Sequence, residues 1–384
     1  MKTVYLDNNA TTAVAPEVLA AMLPYFGDLY GNPSSMHSFG GQVAGAVDEA
    51  RENLAELLHC EAEEIMFTAS GTEADNSAFW SALQSQPEKK HIVTSKVEHP
   101  AVLNVCQFWE REGYHLTYLD VDNLGRLDLE QYAKALTPDT ALVSIMFANN
   151  EVGNIYPIQK LAEMAREKGI LFHTDAVQAV GKIPIDLRHL PVDMLSLSGH
   201  KINAPKGIGA LYIRKGVRFR SFIRGGHQEL GRRAGTENVP YIVGLGAAAK
   251  LAQEFMQKER VDVALLRDQL ERGLLESIPD ARVNGDIENR LPNTTNISFK
   301  NVEGEAILLL LDRLGIAASS GSACTSGSLE PSHVLRAMGV PFNFAHGSIR
   351  LSLSRYTTED DVKYVLKEFP GVIKTLREIS PFKD

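Results

Sequence analysis

Short runs rich in Val, Ile and Leu recur at 64–68, 91–94, 115–119, 141–147, 170–174, 194–198 and 208–213, and stretches with helical spacing separate them. A strand buried on both faces reads as a continuous apolar run, and parallel neighbours need a crossover of about a dozen residues, usually a helix. This alternation predicts an α/β fold with a mostly parallel sheet covered by helices on both faces. It also says where chemistry belongs, because ligands of such sheets bind in the crevice beyond the carboxyl ends of the strands.

A chain of 384 residues divides into about two domains. The large α/β domain is expected at 13–255. It opens with a helix over 16–26, with proline in its first turn, and a long amphipathic helix over 37–58 built on Val43, Val47, Leu54, Leu57 and Leu58. The helical pattern over 239–275 is long enough to join two domains. Beyond it, strands at 295–299 and 348–353 mix with helices at 303–314 and 358–379, which suggests a smaller α+β domain over 256–384.

The net charge of −9 argues against general affinity for nucleic acid or membranes. Cys60, Cys106 and Cys324 are widely spaced and form no CxxC pair, which fits a reducing compartment rather than a disulfide framework. The start carries no apolar h-region, and no window approaches the roughly 18 apolar residues of a membrane span. A cytoplasmic protein, neither exported nor membrane-spanning, is expected.

Leu195-Ser196-Leu197-Ser198-Gly199-His200-Lys201 delivers a lysine at the end of an apolar strand. An amine is unreactive at its ordinary pKa of about 10.4, but at such a mouth it can carry pyridoxal phosphate as a Schiff base. Residues 169–178 form a second apolar run that ends in Asp175. The cofactor draws electrons only while its pyridine nitrogen stays protonated, which calls for a carboxylate beside it. Ile65 to Ala74 reads as strand, small-residue turn and helix start, where backbone N–H groups and the helix dipole suit a phosphate. Gly71 and Thr72 are the expected phosphate contacts, assisted by Ser198 and His200. In Val97-Glu98-His99-Pro100, a histidine at a strand-to-helix transition offers a flat face and a pKa near the ordinary value of about 6.5. Ala148 to Gly153 opens a polar loop after a buried run. Arg350 lies inside the alternating run 348–353, and its fork suits an amino acid's α-carboxylate. The competing reading puts it on the solvent face, and Arg355 is the less favoured substitute. Residues 319–328 are small and polar throughout, so Cys324 is expected on a mobile loop (about 319–330), whereas Cys106 and Cys60 are expected in the core.

Asp175-Ala176-Val177-Gln178, Ser198-Gly199-His200-Lys201, Arg233-Ala234-Gly235-Thr236-Glu237-Asn238 and Ser322-Ala323-Cys324-Thr325-Ser326, in that order, resemble cysteine desulfurases of the NifS/IscS type. The likeness runs from Tyr5 to Pro381. It implies the aspartate aminotransferase-like fold of PLP-dependent transferases (fold type I), with residues 1–12 packed on the small domain. It implies that Lys201 takes and returns the Cα proton of L-cysteine, and that the Cys324 thiolate attacks the substrate sulfur, leaving a persulfide and alanine. By the same likeness His99 stacks on the pyridine ring and moves protons, and Gln178 donates to the phenolic oxygen. Asn150 donates to the phenolic side or to the substrate carboxylate. Thr236 reaches the phosphate of a neighbouring subunit, so a homodimer with composite sites is expected. The persulfide passes to an iron-sulfur scaffold or other acceptor protein. No metal site is expected beyond a cluster that Cys324 could transiently share with such a scaffold. The long Ser/Gly loop matches the NifS/IscS branch, and the Asp7-Asn8-Asn9 start and Ser380-Pro381-Phe382 ending lean toward its nitrogen-fixation subtype. An aminotransferase or selenocysteine lyase on the same fold, or a non-catalytic sulfur relay, are the alternatives. Arg214, Lys215, Arg218, Arg220, Arg224, Arg232 and Arg233, broken by Glu229 alone among acids, read either as a solvated or dimer face or as a docking patch for acidic partners.

Overall fold

A computed structural model describes residues 2–320 and 331–380. Strands β1 (Val4–Tyr5), β2 (Ile65–Thr68), β3 (His91–Ser95), β4 (His115–Leu119), β5 (Thr140–Ser144), β6 (Leu171–Asp175), β7 (Met194–Ser198) and β8 (Gly209–Ile213) are followed by β9 (Ala281–Val283), β10 (Thr294–Phe299), β11 (Ile316–Ala317) and β12 (Ser348–Ser352). β2 to β8 form a seven-stranded sheet in the order β2-β8-β7-β6-β5-β3-β4. Only β8 in this sheet runs against its neighbours. β2, β3, β5, β7 and β8 are buried along their whole length, as their unbroken apolar runs require, while β4 at one edge is only partly covered. The α/β class read from the sequence is the one observed.

Two elements depart from expectation, each for a local reason. The apolar run expected as a strand over 141–147 forms a regular strand only over Thr140–Ser144: Ile145 and Phe147 still donate to the His173 and Asp175 carbonyls of β6, at 3.2 and 2.8 Å, but on the β3 side the Glu98 carboxylate accepts the Met146 N–H (3.1 and 3.0 Å to its two oxygens) and removes the donor a longer ladder would use. The helix expected over 16–26 is α-helical only over Pro16–Met22 and tightens to a 3-10 turn over Leu23–Phe26, where Pro24 has no N–H to give.

The rest of the chain builds a three-stranded antiparallel sheet, β12-β10-β9, and a parallel β1-β11 pair in which Val4 faces Ile316. The helix Val239–Ser277 serves both regions. Leu245 and Ala249 join the core beneath the seven-stranded sheet, and Leu270 and Leu274 join Phe299, Ile349 and Phe369 in a second one. At 39 residues it is a rod of about 58 Å. No helix among the described residues is long and apolar enough to cross a membrane.

This rod lies directly on the helix Ser38–Leu58. A Cβ added at Gly246 would sit 2.5 Å from Ala50 Cα, so the two backbones touch without side chains between them. Alanine is the better helix former by about 1 kcal/mol, yet here it must push two helices apart. Gly246→Ala is therefore expected to destabilise the protein by about 1–3 kcal/mol, read as a lower denaturation midpoint in urea. An unchanged or higher midpoint would show that the helices separate freely.

Candidate active site

Asp175 ends β6 opposite Ser196, and β7 continues to Ser198 before a 3-10 turn over Gly199–Lys201. Asp175 and Lys201 thus emerge from adjacent parallel strands at the carboxyl edge of the sheet. Lys201 is half-buried, and its Nζ donates to the carbonyls of Asn9 and Ala10, each at 2.7 Å. Its pKa is pulled down to about 8, first by the protein packed around it and then by Arg350, with Asp175 and Asp7 pulling the other way. Asp175 is buried and accepts the Val177 N–H on Oδ1 at 2.9 Å. Burial raises its carboxyl, opposed by His99, that N–H and Lys201.

His99 caps the helix Pro100–Arg111, its Nδ1 accepting the Ala101 N–H at 3.1 Å, so the neutral ring carries its proton on Nε2. The ring is accessible at the mouth of the cleft, yet the protein around it disfavours the imidazolium. Asp175 opposes that shift, while Lys201 and His333 add to it. Gly71 opens the helix Gly71–Ser85, capped by Ser70 Oγ, which accepts the Glu73 N–H at 3.1 Å. The first N–H groups of a helix lack carbonyl partners within it, and Thr72 beside them is exposed. A Cβ at Gly71 would lie 2.8 Å from Val177 Cγ2 and 3.3 Å from Ser198 Cβ, so the cradle tolerates glycine alone. His200 Nδ1 is 3.2 Å from Thr11 Oγ1, and burial, then Lys201, lower its pKa to about 4.

Arg350 lies in β12 and is 5% exposed, so the solvent-face reading of this residue is wrong. Its Nη2 donates to Asp7 Oδ1 at 2.7 Å and its Nη1 to the Asn150 carbonyl at 3.0 Å. Arg355 stands apart, its Nε paired with Glu259 at 2.6 Å. Gln178 is buried, with Nε2 donating to the Asn9 carbonyl at 2.9 Å and Oε1 accepting from Lys182 at 2.6 Å. Thr236 is exposed and makes no hydrogen bond to these groups among the described residues. Cys324 lies outside the described residues.

The structure adds residues that were not singled out. Asn9 is buried, and its carbonyl serves both Lys201 and Gln178 while its side chain donates to the Asn150 carbonyl at 3.1 Å. Asp7 and Asn9 were visible in the sequence only as a polar start. The basic cluster is less free than its composition suggests. Arg214 is spent on the carbonyls of Val192, Leu187 and Leu190, Arg233 on Glu73, and Arg232 on the Glu63 carbonyl, which leaves Lys215, Arg218, Arg220 and Arg224 exposed, the last with its guanidinium 5.5 Å from the Trp80 ring. Cys106 is buried as expected, Cys60 is half-buried, and burial pushes the Cys60 thiol up to about 12.

Residues 4–365 match the family described as aminotransferase class-V. The chain is 60% identical over 384 residues to a cysteine desulfurase of Trichormus azollae, covering all of this chain and 96% of that one. It is 58% identical over 383 residues to the cysteine desulfurase NifS of Azotobacter vinelandii, covering 100% and 95%. Among solved structures, a NifS-like protein superposes with a TM-score of 0.92 at 40% identity, covering 98% of this chain and 100% of that one. SspA in complex with cysteine superposes at 0.83 with 36% identity, covering 93% and 100%.

The depressed lysine gives a direct check. In cofactor-free protein treated with a limiting amine-acylating reagent, labelling of Lys201 should reach half its maximal rate near pH 8, against about 10.4 for an unperturbed lysine. Peptide mass mapping reads the rate, and a Lys201 profile indistinguishable from that of surface lysines would refute the environment described.

Proposed function

The chain belongs to the class-V aminotransferase family, and from that membership and the full-length likeness to cysteine desulfurases we infer that it is a pyridoxal phosphate-dependent cysteine desulfurase. It takes sulfur from L-cysteine and leaves L-alanine. The observation that carries the reading is the pairing of Asp175 and a depressed Lys201 at one sheet edge, beside a helix start where only glycine fits.

These residues fit the cofactor. Gly71 and Thr72 would hold its phosphate, Asp175 would keep the proton on its ring nitrogen, and Gln178 and Asn150 would face its phenolic side. When bound, pyridoxal phosphate supplies an electron sink that acidifies the substrate's Cα–H and weakens its Cβ–S bond. The chain does the rest. Lys201, with a pKa of about 8, is a free amine in roughly one copy in ten at pH 7, a few hundredfold more often than an unperturbed lysine, and in that form can take the proton from Cα and return it. His99 has Nδ1 committed to Ala101, so it exchanges protons through Nε2. Arg350 orients the substrate carboxylate. Its Nε is buried without a hydrogen-bond partner among the described residues, and Asp7 holds the rest of the fork in place.

Sulfur leaves by way of Cys324. Its thiolate attacks the substrate Sγ, the new S–S bond forms as the Cβ–S bond breaks, and the carbon fragment keeps that electron pair and takes up a proton to become alanine. The step is redox-neutral and needs no outside oxidant. Support comes from the chain on either side of 321–330. On one side, Ser319 and Arg350 exchange backbone hydrogen bonds of 3.2 and 2.6 Å. On the other, Ser332 Oγ donates to Glu151 and His333 Nε2 to the Glu98 carbonyl at 2.9 Å. The chain flanking the segment that carries Cys324 is fastened on one side to β12, which bears Arg350, and on the other to Glu151 and Glu98, the neighbours of Asn150 and His99. The other thiols are poor rivals, since burial keeps both protonated.

The same reading makes the enzyme a cytoplasmic homodimer in which Thr236 of each chain completes its neighbour's phosphate site, and it passes persulfide sulfur to an iron-sulfur scaffold or similar acceptor. The likeness to NifS supports the nitrogen-fixation subtype.

Cys324→Ser should bind pyridoxal phosphate normally and yet lose at least about 100-fold in alanine and sulfide release, since a serine hydroxyl is barely ionised near neutral pH. After brief exposure of wild type to L-cysteine, peptide mass should find the persulfide on Cys324. Persulfide on Cys60 or Cys106 would overturn the route. For the composite site, mixing Lys201→Ala with Thr236→Ala chains should restore activity that neither homodimer has, and no restoration would refute a shared site.

A further inference from the structure

Gln178 is gripped at both ends. Its Nε2 donates to the Asn9 carbonyl at 2.9 Å, while Oε1 accepts from Lys182 Nζ at 2.6 Å, and the same Nζ reaches Asn9 Oδ1 at 3.3 Å. Lys182 lines a cleft behind Lys201 together with Ile202, Asn203, Glu259 and Arg355. The position is an expensive one for a cation. The packed protein, then Lys201, then Arg350 pull its pKa down to about 7, with Glu259 opposing them. Glu259 is itself paired with Arg355 at 2.6 Å, so Lys182 has no carboxylate in direct contact among the described residues. What it touches instead are two amide oxygens.

A lysine ammonium has donors only, whereas a glutamine amide has an acceptor end and a donor end that differ little in shape. In its protonated form, the one favoured below its pKa of about 7, Lys182 therefore dictates which end of Gln178 faces it, and its Nζ lies 2.6 Å from Oε1. With Oε1 held there and one Nε2 hydrogen on Asn9, the second Nε2 hydrogen is the donor left for an incoming acceptor. A cation on the oxygen of an amide also polarises it, so that its N–H donates more strongly. We propose that Lys182 is a positioning residue for the cofactor's phenolic oxygen, acting through Gln178: it fixes and polarises the amide that meets that oxygen. The proposal rests on the pyridoxal phosphate reading given above. It assigns a second lysine of the site a task distinct from that of Lys201, because Lys182 acts on the ring's edge without contacting it.

The test is a cofactor titration of cofactor-free, full-length protein, followed by the visible band. Lys182→Met should raise the dissociation constant for pyridoxal phosphate about tenfold, the loss of one hydrogen bond involving a charge, whereas Lys182→Arg, which keeps the donor, should stay within about threefold. In a Gln178→Leu background, Lys182→Met should add less than about twofold, because the two residues act as one unit. With 3-deoxypyridoxal phosphate, which lacks the phenolic oxygen, wild type and Lys182→Met should bind alike. Far-UV circular dichroism of each cofactor-free variant reports folding separately. Multiplying effects of the two substitutions, or an equal loss with the deoxy analogue, would reduce Lys182 to a packing role and overturn the proposal. If wild type develops no band at all, the cofactor reading fails. The crystal structure of cofactor-free Lys182→Met then decides the remainder, since a Gln178 side chain left on Asn9 would overturn the claim that Lys182 orients it.

Discussion

The carbonyl of Asn9 is the point on which this site depends. It accepts Lys201 Nζ at 2.7 Å and Gln178 Nε2 at 2.9 Å, while the Asn9 N–H donates to Ser352 Oγ at 2.9 Å and its side chain to Thr294 Oγ1 at 2.9 Å and the Asn150 carbonyl. One buried residue near the chain's beginning thus ties the carboxyl edge of the seven-stranded sheet to β10 and β12. Each of these groups is a polar atom in the interior, and leaving one unpaired costs about 1–3 kcal/mol. Lys201, the Gln178 amide and Arg350 are therefore set by a common element, and a shift of the Asp7–Ala10 segment would move all of them together.

Burial governs the charges around that element. Asp75, Glu98 and Asp175 all have their carboxyls raised, each chiefly by burial. They differ in what stands beside them. Glu98, pushed up to about 8, is held by Ser95 Oγ and the Met146 N–H and has no cation among the causes of its shift, so near neutral pH it largely keeps its proton. Asp75 is 3.6 Å from His173, but burial lowers that imidazole to about 3, so the pair is not an ion pair. Asp175 alone of the three is opposed by His99 and Lys201. Negative charge in this part of the protein is thereby concentrated on the one carboxylate at the sheet edge.

The unbroken apolar runs made the sheet legible, because a strand buried on both faces cannot disguise itself. Lys201 and Asp175 were legible for a related reason: a polar residue at the end of such a run stands at the carboxyl edge whatever the exact register. Arg350 could be singled out but not oriented, since alternation in a three-stranded sheet does not say which face is covered. Asn9 and Asp7 were out of reach. Their partners lie 192 and 343 residues along the chain, and nothing local marks a backbone carbonyl as a lysine's acceptor. Lys182 hid for the opposite reason, because a lysine four residues past Gln178 reads as surface. The early end of β5 escaped because the competing acceptor, Glu98, comes from another strand–helix turn.

The protonated state of Cys60 and the burial of Cys106 bear on a hazard that any carrier of reactive sulfur faces. Thiol–disulfide exchange proceeds through the thiolate, and a thiol at about 12 is ionised near pH 7 to the order of one part in 10⁵. On the proposed route through a persulfide, Cys60 and Cys106 offer it no competent thiolate. With their thiols held protonated, these two side chains offer neither an internal disulfide partner nor a route to cross-linking between crowded copies. The core packing that silences the two cysteines acts as chemical insulation around the sulfur the enzyme mobilises.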